Sequence, residues 1–150
     1  MIETFLPLLE AARGLDLTDP ERAGRELATR FDPSSAEADA VRDGLLALLE
    51  EGRIADRGEP PLRYGRAAKA TEETFGFSID VVHMSGPGPR HRHPTGEVNF
   101  CVPLEGAPSF EGQTSGWVVM PPESTHVPRV DGGTMLIVYL LPDGKIEFQE

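Results

Sequence analysis

Residues 90–106 read Arg-His-Arg-His-Pro-Thr-Gly-Glu-Val-Asn-Phe-Cys-Val-Pro-Leu-Glu-Gly, and they hold two of the chain's four histidines. Side chains two positions apart on an extended strand share a face, so His91 and His93 are placed to grip one ion together. A Pro-Thr-Gly turn then carries Glu97 round to that side, and His126 arrives after the apolar strand 117–120. Two imidazoles, a carboxylate and a later imidazole suit one divalent transition metal, with Fe, Mn, Zn and Ni all compatible and positions left open for water or substrate. A His-x-His pair alone is just as well a surface strand. The added Glu97, Gly106 and the second element Gly116…Pro122…His126 are what specify a metal.

The rest of the chain supplies a frame for that segment. At 150 residues it suits a single domain with one appended element. A net charge of −11 argues against nucleic acid and anionic membrane as partners, since both would repel it. No apolar run reaches membrane-spanning length. The first residues, Met-Ile-Glu-Thr-Phe-Leu-Pro, lack the basic-then-apolar order of a signal peptide. One cysteine cannot form an internal disulfide, which fits a reducing cytoplasm.

Taken in order, residues 1–55 read as helical. Ile2, Phe5, Leu6 and Leu9 recur at helical spacing, and Gly14 stops that turn. Thr18-Asp-Pro-Glu21 and Ser34-Ser-Ala-Glu37 each have the form of a capping box. The second opens the strongest helix, whose apolar stripe is Val41, Leu45, Leu48 and Leu49, with Gly52 as its C-terminal cap. Such a stripe must be buried against the outside of the strands or against another subunit. Homodimers or larger homo-oligomers are therefore expected.

From about residue 60 the signals are those of short strands separated by Gly/Pro turns. Arg63-Tyr-Gly-Arg-Ala-Ala-Lys69 is the densest cationic patch of an acidic chain. It reads either as a charge-protected edge strand or as an anion clamp in which Arg66 forks onto a carboxylate. His83, in phase with Ile79 and Val81, reads as a core residue. Beyond Glu97, alternation puts Asn99 and Cys101 on its face and Val98, Phe100 and Val102 on the other. Asn99 is thereby a candidate to orient a ligand or substrate, and Cys101 a small buried residue. Asp131-Gly-Gly133 reads as a hairpin turn. In the strand 134–141 both faces are apolar, so barrel and helices are expected to bury one each.

His91-x-His93-x-x-x-Glu97 with Gly106 resembles the first motif of the cupin superfamily, and Gly116-Trp-Val-Val-Met-Pro-Pro122-Glu-Ser-Thr-His126 resembles the second. The resemblance implies a mainly β protein: a small antiparallel cupin barrel (jelly roll) over residues 60–150, after the helical segment 1–55. It also implies a metal on His91, His93, Glu97 and His126. This chain departs from the usual second motif in a gap one residue shorter between Pro122 and His126, in Glu123 at a turn position where glycine is common, and in Val130 in place of asparagine.

A narrower resemblance rests on Arg63-Tyr-Gly-Arg66, Gly76-Phe-Ser-Ile-Asp-Val-Val82, the two metal segments and Leu140-Leu-Pro-x-Gly-x-Ile-Glu-Phe148. Together these are similar to the 4-hydroxylaminobenzoate lyase family. Membership implies conversion of 4-hydroxylaminobenzoate, a small aromatic carboxylate, to 3,4-dihydroxybenzoate with release of ammonia. Glu97 and Tyr64 are then the candidates for proton transfer, and Arg66, or else Arg129, for the substrate carboxylate. The same ligand set also serves an Fe(II)-dependent dioxygenase acting on a small aromatic acid. A non-enzymatic cupin that binds a small molecule is the third reading, and a complete ligand set argues against it.

Overall fold

The structure is a computed structural model and describes residues 1–149. Three helices come first: α1 (Ile2–Ala12), α2 (Pro20–Arg30) and α3 (Ala36–Glu50). Both predicted capping boxes are displaced by one residue. Asp19 caps α2 by accepting from the Arg22 N–H, and Ser35 caps α3 by accepting from the Ala38 N–H. Thr18 instead spends its hydroxyl on Asp16, at 2.5 Å. At the far end of α3 the N–H of Gly52 (φ 71°) bonds Leu49 and that of Arg53 bonds Leu48. This pair of bonds is the Schellman arrangement, which needs a left-handed residue where the glycine stands.

Nine strands follow: β1 (Arg57–Glu59), β2 (Leu62–Ala68), β3 (Phe77–Pro87), β4 (His91–His93), β5 (Glu97–Phe110), β6 (Gly116–Met120), β7 (Ser124–His126), β8 (Arg129–Pro142) and β9 (Glu147–Phe148). They form an antiparallel six-stranded sheet in the order β1-β2-β3-β8-β5-β6 and a three-stranded sheet in the order β7-β4-β9. The fold is mainly β, as expected.

Period-two alternation divides the large sheet into two apolar faces. Ile79 and Val81 of β3, Val98, Phe100 and Val102 of β5, and Leu136, Val138 and Leu140 of β8 share one core with Phe5, Leu8, Leu27, Val41 and Leu45 of the helices. Met84, Cys101, Phe110, Met135, Ile137, Tyr139 and Leu141 form a second core on the opposite, interior face. The helical stripe is thus covered by its own sheet and does not by itself call for a second subunit. Trp117 fastens the two layers. Its indole N–H donates to the Phe31 carbonyl at 3.0 Å, and its ring meets Phe31 and Phe100 edge-on.

One turn expectation fails. Asp131-Gly-Gly133 is no hairpin, because β8 runs straight through it, paired with β5 across register shifts between Pro103 and Glu105 and between Gly106 and Ser109. The glycines serve close backbone approach instead. A Cβ on Gly106 (φ 72°) would lie 2.6 Å from the Gly132 carbonyl oxygen. They mark a β-bulge, where two residues on one strand oppose one on the other.

Candidate metal centre

β4 and β7 pair antiparallel with His91 opposite His126 and His93 opposite Ser124. Glu97 opens β5 after a turn in which the Gly96 N–H returns to the His93 carbonyl. Glu123 adopts φ 66°, the left-handed conformation a glycine would supply, and its N–H also bonds the His93 carbonyl. The turn therefore closes without glycine. It delivers His126 to the two histidines of β4.

One ligand atom from each of His91, His93, Glu97 and His126 lies within 4.8 Å of the other three. His91, His93 and Glu97 are buried, and His126 is half-buried. The outer ring nitrogens reveal how the inner ones are presented. His91 Nδ1 lies 3.3 Å from the Pro89 carbonyl, which can only accept. His93 Nδ1 lies 2.8 Å from Ser124 Oγ, whose own proton goes to the Pro121 carbonyl at 2.6 Å. His126 Nδ1 lies 2.9 Å from Glu111 Oε1. Each Nδ1 is thereby a donor, so in the neutral rings every Nε2 turns a bare lone pair inward.

Those lone pairs have no good protein partner. His91 Nε2 and His126 Nε2 face each other at 3.1 Å, and Glu97 Oε2 lies 3.3 Å from the former and against His93 Nε2. Glu97 Oε1 is fully buried with no hydrogen bond among the described residues. Converging acceptors around a buried carboxylate are costly unless something positive sits among them. A divalent cation fits this donor set.

Charge follows the same geometry. Burial pushes the Glu97 pKa up, and the His91 and His93 rings, when doubly protonated and donating from Nε2, outweigh it and hold the carboxyl at about 2. Between neutral rings that favourable charge is missing, and a cation among the four side chains would supply it. Burial lowers the His126 pKa against the opposing pull of Glu111, favouring the neutral ring that metal ligation requires.

His91 opens onto a cavity of about 700 Å³ that Tyr64, Arg66, Asp80, Tyr139 and Phe148 help to line. Arg66 lies at its edge, already forked onto Asp80 at 2.7 and 3.3 Å and bonded to the Gly144 carbonyl at 3.1 Å. Tyr64 is 49% exposed. Asn99 is fully buried on the Glu97 face, and neither atom of its amide is hydrogen-bonded among the described residues. Arg129 is not brought to the cavity: it is 59% exposed and bound to Asp131 at 2.6 Å on its own strand. Arg57, which the sequence did not single out, lines the cavity on β1 and forms no ion pair among the described residues. Ser124, Glu111 and Tyr139 were also missed. Tyr139 had a signal, as the one polar group in the alternation Met135-Ile137-Tyr139. His83 is half-buried, with its Nδ1 unbonded.

Residues 11–148 match the 4-hydroxylaminobenzoate lyase family, PnbB. A 4-hydroxylaminobenzoate lyase of Nocardioides sp. (strain LMS-CY) is 36% identical over 118 residues, which span 73% of this chain and 66% of that protein. Another, from Pseudomonas putida, is 28% identical over 155 residues, covering 91% of this chain and 88% of its own. An RmlC-like cupin protein from Ralstonia eutropha JMP134 aligns in structure over 61% of this chain and 62% of its own, with 14% identity and a TM-score of 0.45. A cupin-like protein from Thermotoga maritima MSB8 does so over 59% and 75%, with 17% identity and a TM-score of 0.43. With the family match running from the end of α1 into β9, this chain belongs to the 4-hydroxylaminobenzoate lyase family.

Proposed function

We propose that the protein is a metal-dependent lyase that converts 4-hydroxylaminobenzoate, or a related hydroxylamino-aromatic acid, to 3,4-dihydroxybenzoate with release of ammonia. The observation that carries this reading is a converging set of three imidazoles and a carboxylate, open to a cavity of about 700 Å³, in a member of that family. The reaction balances with one water taken up and no net oxidation, so it needs no external oxidant.

His91, His93, Glu97 and His126 would hold the cation. A divalent metal there supplies Lewis-acid polarisation of the departing oxygen and a lowered pKa for bound water. Glu97 Oε1, free of protein partners, is the proton-handling group, and such a positioned group contributes about 10²–10⁴-fold. Leu141, Ile146 and Phe148 give the cavity apolar walls for a flat ring. Arg66, and Arg57 beyond it, offer cations at the cavity edge for the ring carboxylate, with Tyr64 beside them. Asn99, buried on the Glu97 face with its amide unbonded among the described residues, is the candidate to orient a ligand or the substrate, and Arg129 is left without a role. A cytoplasmic homodimer or larger assembly belongs to the same reading, and light scattering on the eluted protein reads the assembly directly. No helix among the described residues is long and apolar enough to cross a membrane.

The test is ammonia release from 4-hydroxylaminobenzoate by metal-replete protein, with dissolved oxygen followed in the same vessel. Ammonia without oxygen uptake is the expected result. Oxygen uptake tied to substrate would instead identify a dioxygenase, and neither signal would overturn the enzymatic reading.

A further inference from the structure

A single row of polar side chains crosses the interior face of the large sheet. Arg66 on β2 stands opposite Asp80 on β3, Asp80 opposite Tyr139 on β8, and Tyr139 opposite Asn99 on β5. Three of these side chains sit among the apolar residues of the interior core or its edge, so each polar group has to be accounted for.

Asp80 is fully committed. Its carboxylate accepts from Arg66 at 2.7 and 3.3 Å and from Ser78 Oγ at 2.8 Å. It therefore holds the row in register without capturing the neighbouring phenol. Tyr139 is 4% exposed and lines the cavity, and its hydroxyl makes no hydrogen bond among the described residues. Its ring lies 6.3 Å from that of His91 and 6.4 Å from that of Phe110, and Phe110 in turn lies 6.2 Å from His126. The phenol thus borders the cavity where the metal ligands open into it. Tyr64, by contrast, is half-exposed on β2, opposite Val82.

We propose that Tyr139 is a substrate-contacting residue whose hydroxyl donates a hydrogen bond to the para substituent of the aromatic acid, at the open side of the metal centre. This rests on the lyase reading for the identity of the substituent. A phenol keeps its proton at neutral pH and can donate through it, and proton transfer is left to Glu97. A neutral donor suits a hydroxylamino oxygen or nitrogen, both of which carry lone pairs. The apolar Met135 and Ile137, on the same face of β8, offer that end of the ring nothing comparable.

The experiment compares wild type with Tyr139→Phe in the metal-loaded full chain, using calorimetric binding of 4-hydroxybenzoate and of benzoate. Phenylalanine keeps the ring packing and removes only a hydroxyl that the fold leaves unpartnered. Wild type is expected to bind 4-hydroxybenzoate about tenfold more tightly than benzoate, the worth of one well-placed hydrogen bond. In Tyr139→Phe that preference disappears while benzoate affinity and metal content hold, and kcat for ammonia release falls by about 10²-fold with KM changed far less. An undiminished preference in Tyr139→Phe would overturn the proposal. So would kcat within twofold of wild type.

Should the variant fail to fold, a second measurement decides. The chain has two tyrosines, so 3-fluorotyrosine labelling in a Tyr64→Phe background leaves one fluorine reporter at position 139. Its resonance is expected to move with 4-hydroxybenzoate and to stay put with benzoate, and equal response to both overturns the proposal. Failure of wild type to release ammonia would sink the lyase reading alone, since the binding comparison does not depend on turnover.

Discussion

The residues that touch no substrate decide how well the centre works. Ser124 accepts from His93 and donates to the Pro121 carbonyl, so it fixes which nitrogen of His93 faces inward. Ser124→Ala leaves all four ligands in place yet frees that ring, and metal affinity is expected to fall about 10–100-fold. Competition against a chelating indicator measures it, and unchanged affinity would remove Ser124 from the account. Cys101 illustrates the opposite case. Burial, helped by the Glu97 charge, pushes its thiol pKa far above the ordinary 9.0. Native protein is therefore expected to resist a thiol-reactive dye at pH 8 and to react fully once unfolded. Because the folded pKa is the raised one, this contribution to stability is full below 9.0 and is lost as pH climbs above it. The slope approaches about 1.4 kcal/mol per pH unit in denaturant titrations.

At the level of elements, the helices and the sheet share one core, and that coupling can be read separately from the metal. Leu45 is fully buried in α3 against this core. Leu45→Ala is expected to cost about 2–5 kcal/mol in denaturant unfolding with metal stoichiometry unchanged. A bulge glycine and a turn glycine offer a cleaner comparison. Gly106 and Gly112 both have positive φ, at 72° and 79°, but a Cβ meets the Gly132 oxygen at the first and nothing within 4 Å at the second. Gly106→Ala should therefore cost more than Gly112→Ala by about 1–3 kcal/mol, the usual penalty for overpacking. Equal costs would mean that backbone conformation alone accounts for both.

Elements also show where sequence reading reached and where it stopped. Period-two geometry sorted the residues of β5 and β8 onto the right faces even though burial on both sides makes β8 apolar on each. Helix positions were legible to within a residue. The caps slipped by one because Thr18 and Ser34 sit beside Asp19 and Ser35, and local pattern cannot say which of two adjacent side chains reaches the free N–H. The hairpin at Asp131-Gly133 was misplaced for a related reason. Glycine pairs mark tight turns and close strand crossings alike, and only the pairing partner distinguishes them.

Over the whole molecule, the site was legible where a local pattern carried it. His91 and His93 follow from strand periodicity, Glu97 from the turn at 94–96, and His126 from the segment 116–126. Ser124, Glu111 and Tyr139 reach the same centre through the β4–β7 register, the turn after Phe110 and the fold of β8 over the interior. None of those distances is encoded nearby in the chain. The net charge of −11 gives the surface a field that favours cations and repels anionic aromatic acids. The arginines at the cavity edge therefore carry the burden of drawing a carboxylate in. The measurement that bears most directly on all of this is metal stoichiometry by elemental analysis of protein purified without chelators, beside His93→Ala and Glu97→Gln prepared identically. One divalent transition metal per wild-type chain, lost or reduced to trace in both variants that remain folded, is the predicted result. Wild-type protein that takes up no divalent ion even on reconstitution, or variants that keep theirs, would contradict the central claim.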